Sequence, residues 1–348
     1  MSPTLNPLLG WQVDRHDISC LGVDLQRPEC ILCEPDGTVW TADARGVMKI
    51  DADGTQTLIR QSAIDDRAAD RALDARSLVL GGSLPNGIAF NGDGDILIAN
   101  FGTDAIELMT RSGTSRTLFT HIDGRPLGKA NFVLTDSRGR IWFTVTTRQV
   151  PWTKSINERS ADGYVGLIDG RGIRIVAEGF VGTNECRLDS REEWLYVAET
   201  NARRISRLRV QPDGSLTDRE IYGPADLGGF PDGFAIDSVG NLWITLVLTE
   251  RLIALTPDGQ LLMLLDDGNP QALAVYEQHY QAGTTTPELM ASCKGTLAPM
   301  MASIAFGGPD LKTVYLGSLA GTTLPSFRSP VAGLPLSHWP KPGTGRRP

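Results

Sequence analysis

Residues 230–245 read FPDGFAIDSVGNLWIT, and this stretch contains the unit from which most of the chain is built. A proline and a polar residue open the unit. A short run of alternating apolar residues follows, and a turn rich in Asp and Gly leads into a second apolar run that carries Trp243. Alternating apolar residues on both sides of a Gly-containing turn predict a β-hairpin, because successive side chains of a strand point to opposite faces.

Degraded copies of this unit recur along the sequence at residues 28–40, 85–98, 130–142, 183–196, 231–243 and 302–315. The second residue of each copy, which we call its lead residue, is Glu29, Asn86, Asn131, Asn184, Asp232 or Ser303. Neighbouring lead residues lie between 45 (131 − 86) and 71 (303 − 232) positions apart, which suits one four-stranded sheet plus loops. The repeat predicts an all-β, six-bladed β-propeller that forms a single domain over residues 1–348.

Two insertions interrupt the repeat. Residues 148–162 replace a short turn of the third copy and contain Trp152, which could cover an apolar part of a ligand or only pin the loop to the surface. Residues 269–299 precede the last copy. Asn269 and Thr286 each stand before a proline, which is the signature of a capped helix start, so two short helices are predicted there. Both insertions are expected near the mouth or rim of the propeller channel.

The segments outside the copies have less specific patterns. Residues 1–26 are expected to supply a strand that closes the ring, because an unpaired sheet edge invites association. The charged, Ala-rich run 63–73 is predicted to be a short surface helix or a loop between blades. Residues 330–348 contain five prolines and are predicted to form an extended tail.

Composition excludes several classes of partner. The net charge is −8, the isoelectric point is about 5.1 and no run of Lys or Arg occurs, which argues against nucleic acid. No segment approaches the ~20 apolar residues of a membrane helix, and no secretory signal is recognisable, so a cytoplasmic protein is expected.

Cys30 and Cys33 form a C-x-x-C pair. A redox or zinc role is possible in principle, but without a second such pair a place in the core is favoured.

The lead residues carry the predicted chemistry. Equivalent positions of a propeller lie at the same height around one axis, so these side chains should converge. Four of them offer two carboxylates and two amide oxygens, namely Glu29, Asn131, Asn184 and Asp232. Oxygen-only ligands suit Ca²⁺, Mg²⁺ or Mn²⁺, and Zn²⁺ stays open because of its higher intrinsic affinity. Turn formation would explain one or two Asn or Asp residues, but Glu has no turn preference. The ring therefore predicts one bound divalent cation, with Ca²⁺ as first candidate.

Several of these motifs together resemble the family of gluconolactonase, regucalcin (senescence marker protein) and luciferin-regenerating enzyme. They are PDGFAID at 231–237 with GNLW at 240–243, KAN at 129–131 before DSRGRIWF at 136–143, and RPE at 27–29. The resemblance covers about residues 20–320. It implies a propeller whose hub holds one divalent metal through a Glu, an Asn and an Asp, with a further Asn nearby. Carried over, these are Glu29, Asn184 and Asp232, with Asn131 as ligand or substrate contact.

Two positions differ from the pattern of that family. Lys129 stands where an Arg is common, and Lys cannot replace a bidentate guanidinium. Glu185 follows Asn184 where Gly is usual. Both differences argue against an aldonolactone as substrate and leave the predicted metal ligands in place.

Resemblance and ligand chemistry together predict a divalent-metal-dependent lactonase, in which the metal polarises the carbonyl of a small cyclic ester and water attacks it. Asp232, or a metal-bound water that it orients, is expected to supply the base. The expected substrate contacts are Lys129, Asn86, Asn131 and Trp152. A Ser-His-Asp hydrolase is disfavoured because the sequence has no Gly-x-Ser-x-Gly motif. Two alternatives remain: a phosphotriester or organofluorophosphate hydrolase on the same site, or a propeller that binds another protein without catalysis.

Overall fold

The structure, a computed structural model, describes residues 5–62 and 74–339. It confirms the six-bladed β-propeller. Six four-stranded antiparallel sheets are arranged in a ring, and each innermost strand contacts the innermost strands of the two neighbouring sheets. The run 63–73 for which a helix or loop was predicted lies outside the described residues, as does the last part of the tail, 340–348.

The blades follow one another along the chain, and each begins with its innermost strand. Strand β1, Ser19–Leu21, comes before the first blade. The strands of blades one to three are β2 Ile31–Cys33, β3 Val39–Asp43, β4 Gly46–Ile50, β5 Gln56–Arg60; β6 Pro85–Phe90, β7 Ile96–Asn100, β8 Ala105–Met109, β9 Ser115–Phe119; and β12 Ala130–Thr135, β13 Ile141–Val145, β14 Gly163–Asp169, β15 Gly172–Phe180. A small hairpin of β10 His121–Ile122 and β11 Arg125–Pro126 precedes blade three.

Blades four to six have the same order of strands. They consist of β16 Thr183–Leu188, β17 Trp194–Glu199, β18 Arg204–Val210, β19 Leu216–Tyr222; β20 Phe230–Ile236, β21 Leu242–Val247, β22 Arg251–Leu255, β23 Leu261–Asp266; and β24 Met301–Gly307, β25 Thr313–Ser318, β26 Leu324–Arg328. The fourth strand of the last sheet is β1, which pairs antiparallel with β26. The sixth sheet is therefore built from both ends of the chain, so that the ring is closed by backbone hydrogen bonds.

A repeated side-chain network explains why the sequence unit forms hairpins. Asp237 accepts hydrogen bonds from the backbone N–H groups of Gly240 and Asn241 at one carboxylate oxygen and from the Trp243 indole N–H, at 2.9 Å, at the other. Asp136 and Trp142 form the same pair in blade three, also at 2.9 Å. The acidic residue thus satisfies the turn and orients a tryptophan that is fully buried between blades.

Helices occur mainly in the insertions. Helix α1 spans Ser77–Leu80, α2 spans Pro270–Ala282 and α3 spans Pro287–Ser292, with 3₁₀ turns at Arg15–Asp17 and Trp152–Ser155. The two predicted helices before the last blade are therefore present, and the side chains of Asn269 and Thr286 cap them as expected. No helix within the described ranges is long and apolar enough to cross a membrane.

The described part of the tail, through Trp339, lies against the ring. Gly333 forms a bridge with Asp237, and the partly buried Leu336 packs against the core. The indole N–H of Trp339 donates to the carbonyl oxygen of Cys33 at 2.8 Å. Cys33 and Cys30 are both buried free cysteines, and burial raises the pKa of each thiol to about 12. A high thiol pKa is typical of an unreactive core cysteine.

Candidate metal centre

A β-bulge aims the lead residues at the centre of the ring. In blades two to six the innermost strand carries one more residue than its neighbour, and the extra residue falls at or beside the lead position. The register shifts lie between Pro85 and Ile88, Ala130 and Phe132, Thr183 and Cys186, Pro231 and Phe234, and Met301 and Ser303. In blade one, Glu29 lies just before β2. Because a bulge re-aims a side chain, the repeated shift turns these residues toward the axis.

Four of the lead side chains were predicted to be metal ligands, and the structure places all four on one cavity of about 90 Å³. These are Glu29, Asn131, Asn184 and Asp232, each buried, and Asn86 also lines the cavity. In the described ranges no group of three or more His, Cys, Asp or Glu side chains has the geometry of a metal site. The candidate set instead combines two carboxylates with two amides.

Unpartnered oxygen atoms test whether this set fits a cation. The side-chain carbonyl oxygens of Asn131 and Asn184 are buried and have no hydrogen-bond partner. The Asn184 amide is fixed from its other side, where its NH₂ donates to Thr200 Oγ1 at 3.0 Å and that hydroxyl donates to the carbonyl of Pro231 at 2.6 Å. A buried acceptor without a partner costs about 1–3 kcal/mol. Coordination of a hard cation would satisfy both oxygens.

The two carboxylates are electrostatically unfavourable without a cation. Burial raises the pKa of Glu29 to about 7; the nearby Arg27 opposes this shift and Glu185 adds to it. Burial, then Glu29 and Glu185, raise the pKa of Asp232 well above its usual range, with Arg27 and Asn184 opposing. A divalent cation favours the ionised form of nearby carboxylates. The donor set is therefore consistent with a hard divalent cation.

Arg27 is a member of the site that the sequence did not indicate. Its guanidinium is buried and pairs with Glu29 Oε2 at 2.7 Å. Its other hydrogen bonds reach the carbonyl oxygens of Leu78 and Pro85, each at 3.0 Å, and Asn86 Oδ1 at 2.6 Å. The RPE triplet contained this residue, but its left-handed backbone (φ 56°), uncommon for Arg, is not readable from a strand pattern. Arg27 holds Glu29 in position and offsets part of the negative charge.

A second ion pair contributes to the field of the site. Glu185 Oε2 pairs with Arg187 at 2.6 Å, and Glu185 Oε1 accepts a hydrogen bond from Ser303 Oγ, also at 2.6 Å. The carboxylate passes directly over Gly233, where a Cβ would lie 2.6 Å from Glu185 Oε1 and 2.7 Å from the carbonyl oxygen of Ala302. Glycine in the PDG motif is thus required by close approach rather than by its backbone angles. Glu185 was noted in the sequence only as a departure from a family pattern.

The four predicted substrate contacts are placed differently. Asn131 presents its free oxygen to the cavity. Asn86 uses its oxygen for Arg27 and its NH₂ for the carbonyl of Asn131, at 3.0 Å. Trp152 lines the cavity with its ring while its indole N–H donates to the carbonyl of Val79. Lys129 lies outside this set of cavity-lining residues, and its ammonium pairs with Asp104 at 2.8 Å.

An apolar wall also lines the cavity. It is formed by the two insertions together with strand residues, and its members include Trp152, Phe230, Tyr276 and Met290. The ring of Phe230 packs edge-on against Tyr276 and Tyr280. One part of the cavity is therefore lined by charged and polar side chains, and another part by this apolar wall.

Known proteins share this fold and parts of this sequence. A solved calcium-binding protein, regucalcin from Agrobacterium tumefaciens, superposes with a TM-score of 0.62 at 16% identity, covering 91% of this chain and 95% of that one. Strictosidine synthase-like protein 13 of Arabidopsis thaliana is 26% identical over 168 residues (47% of this chain, 41% of the relative). The 6-deoxy-6-sulfogluconolactonase of Pseudomonas putida is 26% identical over 147 residues (42% and 40%).

The chain thus spans less than half the length of these two curated relatives, and the structural likeness establishes the fold alone. Family membership rests on a different comparison. The model of the SMP-30/gluconolactonase/LRE-like region matches residues 64–269, which is more than half of the 348 residues. Four lead residues fall within that match, while Glu29 and Ser303 lie outside it. The chain belongs to the SMP-30/gluconolactonase/LRE-like family.

Proposed function

We propose that this protein is a divalent-metal-dependent hydrolase that opens a small lactone. The observation that carries the proposal is the convergence of two buried carboxylates, Glu29 and Asp232, and two unpartnered amide oxygens, those of Asn131 and Asn184, on one cavity. Membership of a family named for gluconolactonase, and similarity to a sulfogluconolactonase, support a lactone as substrate. The regucalcin structure is that of a calcium-binding protein, which supports Ca²⁺ as the first cation to test.

The ligand set would be Glu29, Asn131, Asn184 and Asp232. When bound, the cation would supply Lewis-acid polarisation of the ester carbonyl and stabilise negative charge on its oxygen. Arg27 holds Glu29 through their 2.7 Å ion pair, and Thr200 fixes the Asn184 amide so that its oxygen points away from Thr200. The polar half of the cavity is therefore organised before a substrate arrives, which lowers the reorganisation needed during the reaction.

The proton transfers are assigned to Asp232. As general base, its carboxylate takes a proton from the attacking water while the water oxygen forms a bond to the carbonyl carbon. The ring C–O bond then breaks, and the leaving alkoxide recovers that proton from Asp232. The products are one hydroxy acid and the unchanged side chain. The apolar part of the lining lowers the polarity around the reacting groups, which strengthens electrostatic interactions within the cavity.

The test combines metal analysis with a lactone panel read by a pH indicator. We expect about one divalent cation per chain, loss of hydrolysis in chelator, and recovery on adding Ca²⁺. Asp232→Ala should lose activity at least a hundredfold. Asp310→Ala is a control, because Asp310 pairs with Arg328 on the surface. Full activity in Asp232→Ala or in chelator would exclude this mechanism, and faster turnover of phosphotriesters than of any lactone would reassign the reaction.

A further inference from the structure

The apolar wall of the cavity has a composition that bears on the kind of substrate. Ten of the twenty residues that line the cavity carry apolar or aromatic side chains, among them Phe101, Trp152, Phe230, Leu248 and Met290. All of them except Phe101 belong to or pack against one hydrophobic cluster, which includes side chains from both insertions. A ligand seated on the polar ring would therefore project its remaining atoms into apolar surroundings.

Polar groups around this wall are mostly occupied by the protein. The Trp152 indole N–H donates to Val79, and the Thr146 hydroxyl donates to the carbonyl of Thr183 at 2.8 Å. The Asn201 NH₂ donates to the carbonyl of Ser155 at 2.9 Å. A polyhydroxylated ring would thus bury several hydroxyl groups without partners. Discrimination against such groups is strong where a site cannot hydrogen-bond them.

Tyr276 differs from these groups. It is buried and lines the cavity, yet no hydrogen bond of its hydroxyl occurs among the described residues. Burial raises the pKa of Tyr276, so the hydroxyl remains a proton donor. The adjacent Tyr280, by contrast, donates its hydroxyl to the carbonyl of Asn201 at 2.5 Å. Tyr276 is therefore available for one polar contact on an otherwise apolar wall.

Hydrogen bonds attach the helical insertion, and with it part of the apolar wall, to the propeller. The Glu250 carboxylate accepts backbone N–H groups of Gly295 at 3.0 Å and Met300 at 2.9 Å, at the end of the helical insertion. Asp267 accepts the N–H groups of Thr296 and Leu297 at 2.5 and 2.7 Å. These contacts make the apolar surface a fixed part of the site. Fixed, preformed apolar walls select ligands by shape and hydrophobicity.

We propose that the substrate is a small lactone carrying a short alkyl substituent in place of sugar hydroxyls, with the substituent on the apolar wall and one oxygen accepting a hydrogen bond from the Tyr276 hydroxyl. This inference rests on the proposed lactonase function and specifies its substrate class. A cavity of about 90 Å³ is small beside the ~300–1,000 Å³ of pockets for drug-sized ligands. It therefore favours a single ring with a short side chain.

Kinetics on matched lactones test the substrate class. δ-Lactones with side chains of none to three carbons should show kcat/KM rising about fourfold per methylene, until the cavity is filled. Glucono-δ-lactone should be at least a hundredfold slower than the best alkyl lactone. Met290→Gln should narrow this gap by placing an amide on the wall. Equal or faster turnover of gluconolactone would overturn the inference while leaving the lactonase function intact.

Binding without turnover separates the two proposals. Alkyl-substituted δ-lactams resist hydrolysis, and their affinity for the native protein can be measured by calorimetry. We expect the same fourfold gain per methylene, a five- to tenfold loss in Tyr276→Phe and no loss in Tyr280→Phe. Lactam binding with this dependence in a protein that hydrolyses no lactone would reject the function and keep the ligand class. Affinity independent of chain length, or equal losses in the two tyrosine variants, would refute the assignment.

Discussion

Replacement of Arg27 by methionine tests the electrostatic logic of the site. Methionine keeps much of the apolar stem of arginine but removes the charge and the donors. In metal-free protein at pH 9, above the Glu29 pKa of about 7, Glu29 would then be left buried and charged without its ion-pair partner. We assign about 3 kcal/mol to this unpaired charge, at the lower end of the ~3–5 kcal/mol for breaking a buried pair. Three neutral acceptors also lose a donor, which costs about 2 kcal/mol together.

Calcium should remove the first of these two penalties, because the bound cation supplies the missing positive charge. The variant should therefore lose about 5 kcal/mol of unfolding free energy in chelator but only about 2 kcal/mol in saturating Ca²⁺. At roughly 2 °C per kcal/mol for a chain of this size, the melting temperature falls by about 10 °C and 4 °C respectively. By linkage, the 3 kcal/mol difference means that the variant should bind Ca²⁺ about 150-fold more tightly than the native protein.

Thermal unfolding with and without Ca²⁺ measures the loss of stability, and calorimetric Ca²⁺ titration measures the change in affinity. Arg140→Met is the matched control: Arg140 pairs with the buried Asp136 at 2.6 Å in blade three and does not line the cavity. Its loss of stability should be the same in both buffers. Equal losses for Arg27→Met in the two buffers, or weaker Ca²⁺ binding, would show that the cation does not share Glu29 with Arg27.

Three further perturbations test other parts of the site and the fold. Gly233→Ala should reduce lactonase activity at least tenfold, because its Cβ would lie 2.6 Å from Glu185 Oε1 beside a backbone carbonyl that cannot move away; activity within twofold of native would contradict this. Asn184→Asp should bind Ca²⁺ about tenfold more tightly, since a third carboxylate joins the ligand set, and weaker binding by calorimetry would count against Asn184 as a ligand. Burial alone would raise the pKa of Glu199, but hydrogen bonds from Arg204 and other donors together lower it by more than burial raises it. The folded pKa of Glu199 is therefore below its usual value. Its stabilisation is then present above the unfolded pKa of about 4.3 and lost as pH falls through the folded value. Urea unfolding should show Glu199→Gln about 2–3 kcal/mol less stable than native at pH 7, with a smaller gap below about pH 4; a gap independent of pH would contradict the assignment.

Much of this fold could be predicted from the sequence because it repeats. A hairpin signal such as PDGFAID followed by GNLW is weak alone, but six copies at blade spacing specify the propeller. Pseudosymmetry then places Asn131, Asn184 and Asp232 around one axis without any further information. The helices at residues 270–292 were also predictable, since their caps and prolines are local signals.

The charge balance of the site could not be predicted in this way. Arg27 reaches Asn86 across 59 positions and Glu185 reaches Ser303 across 118, and neither contact belongs to the repeat. Such pairs depend on side-chain directions that a strand pattern does not encode. The same limit applies to Lys129, whose ammonium pairs with Asp104 of the preceding blade. Its role as a substrate contact remains a prediction.

The two halves of the site depend on the repeat to different degrees, and this difference has a consequence for function. The polar part of the site is built by the lead residues, whose number, height and direction are set by the repeat. It can therefore change little without loss of the bulges that aim these side chains at the axis. The apolar wall combines strand and loop residues such as Phe230 with residues of the insertions at 148–162 and 269–299, namely Trp152, Ile156, Tyr276 and Met290. The propeller does not constrain the length and composition of these insertions. A substitution in the apolar wall, for example at Met290, should therefore alter which lactone is accepted. A substitution among the lead residues should alter whether any lactone is opened. If the proposed function holds, we expect residues of the insertions to contribute to the choice of substrate and the lead residues of the repeat to determine the reaction type.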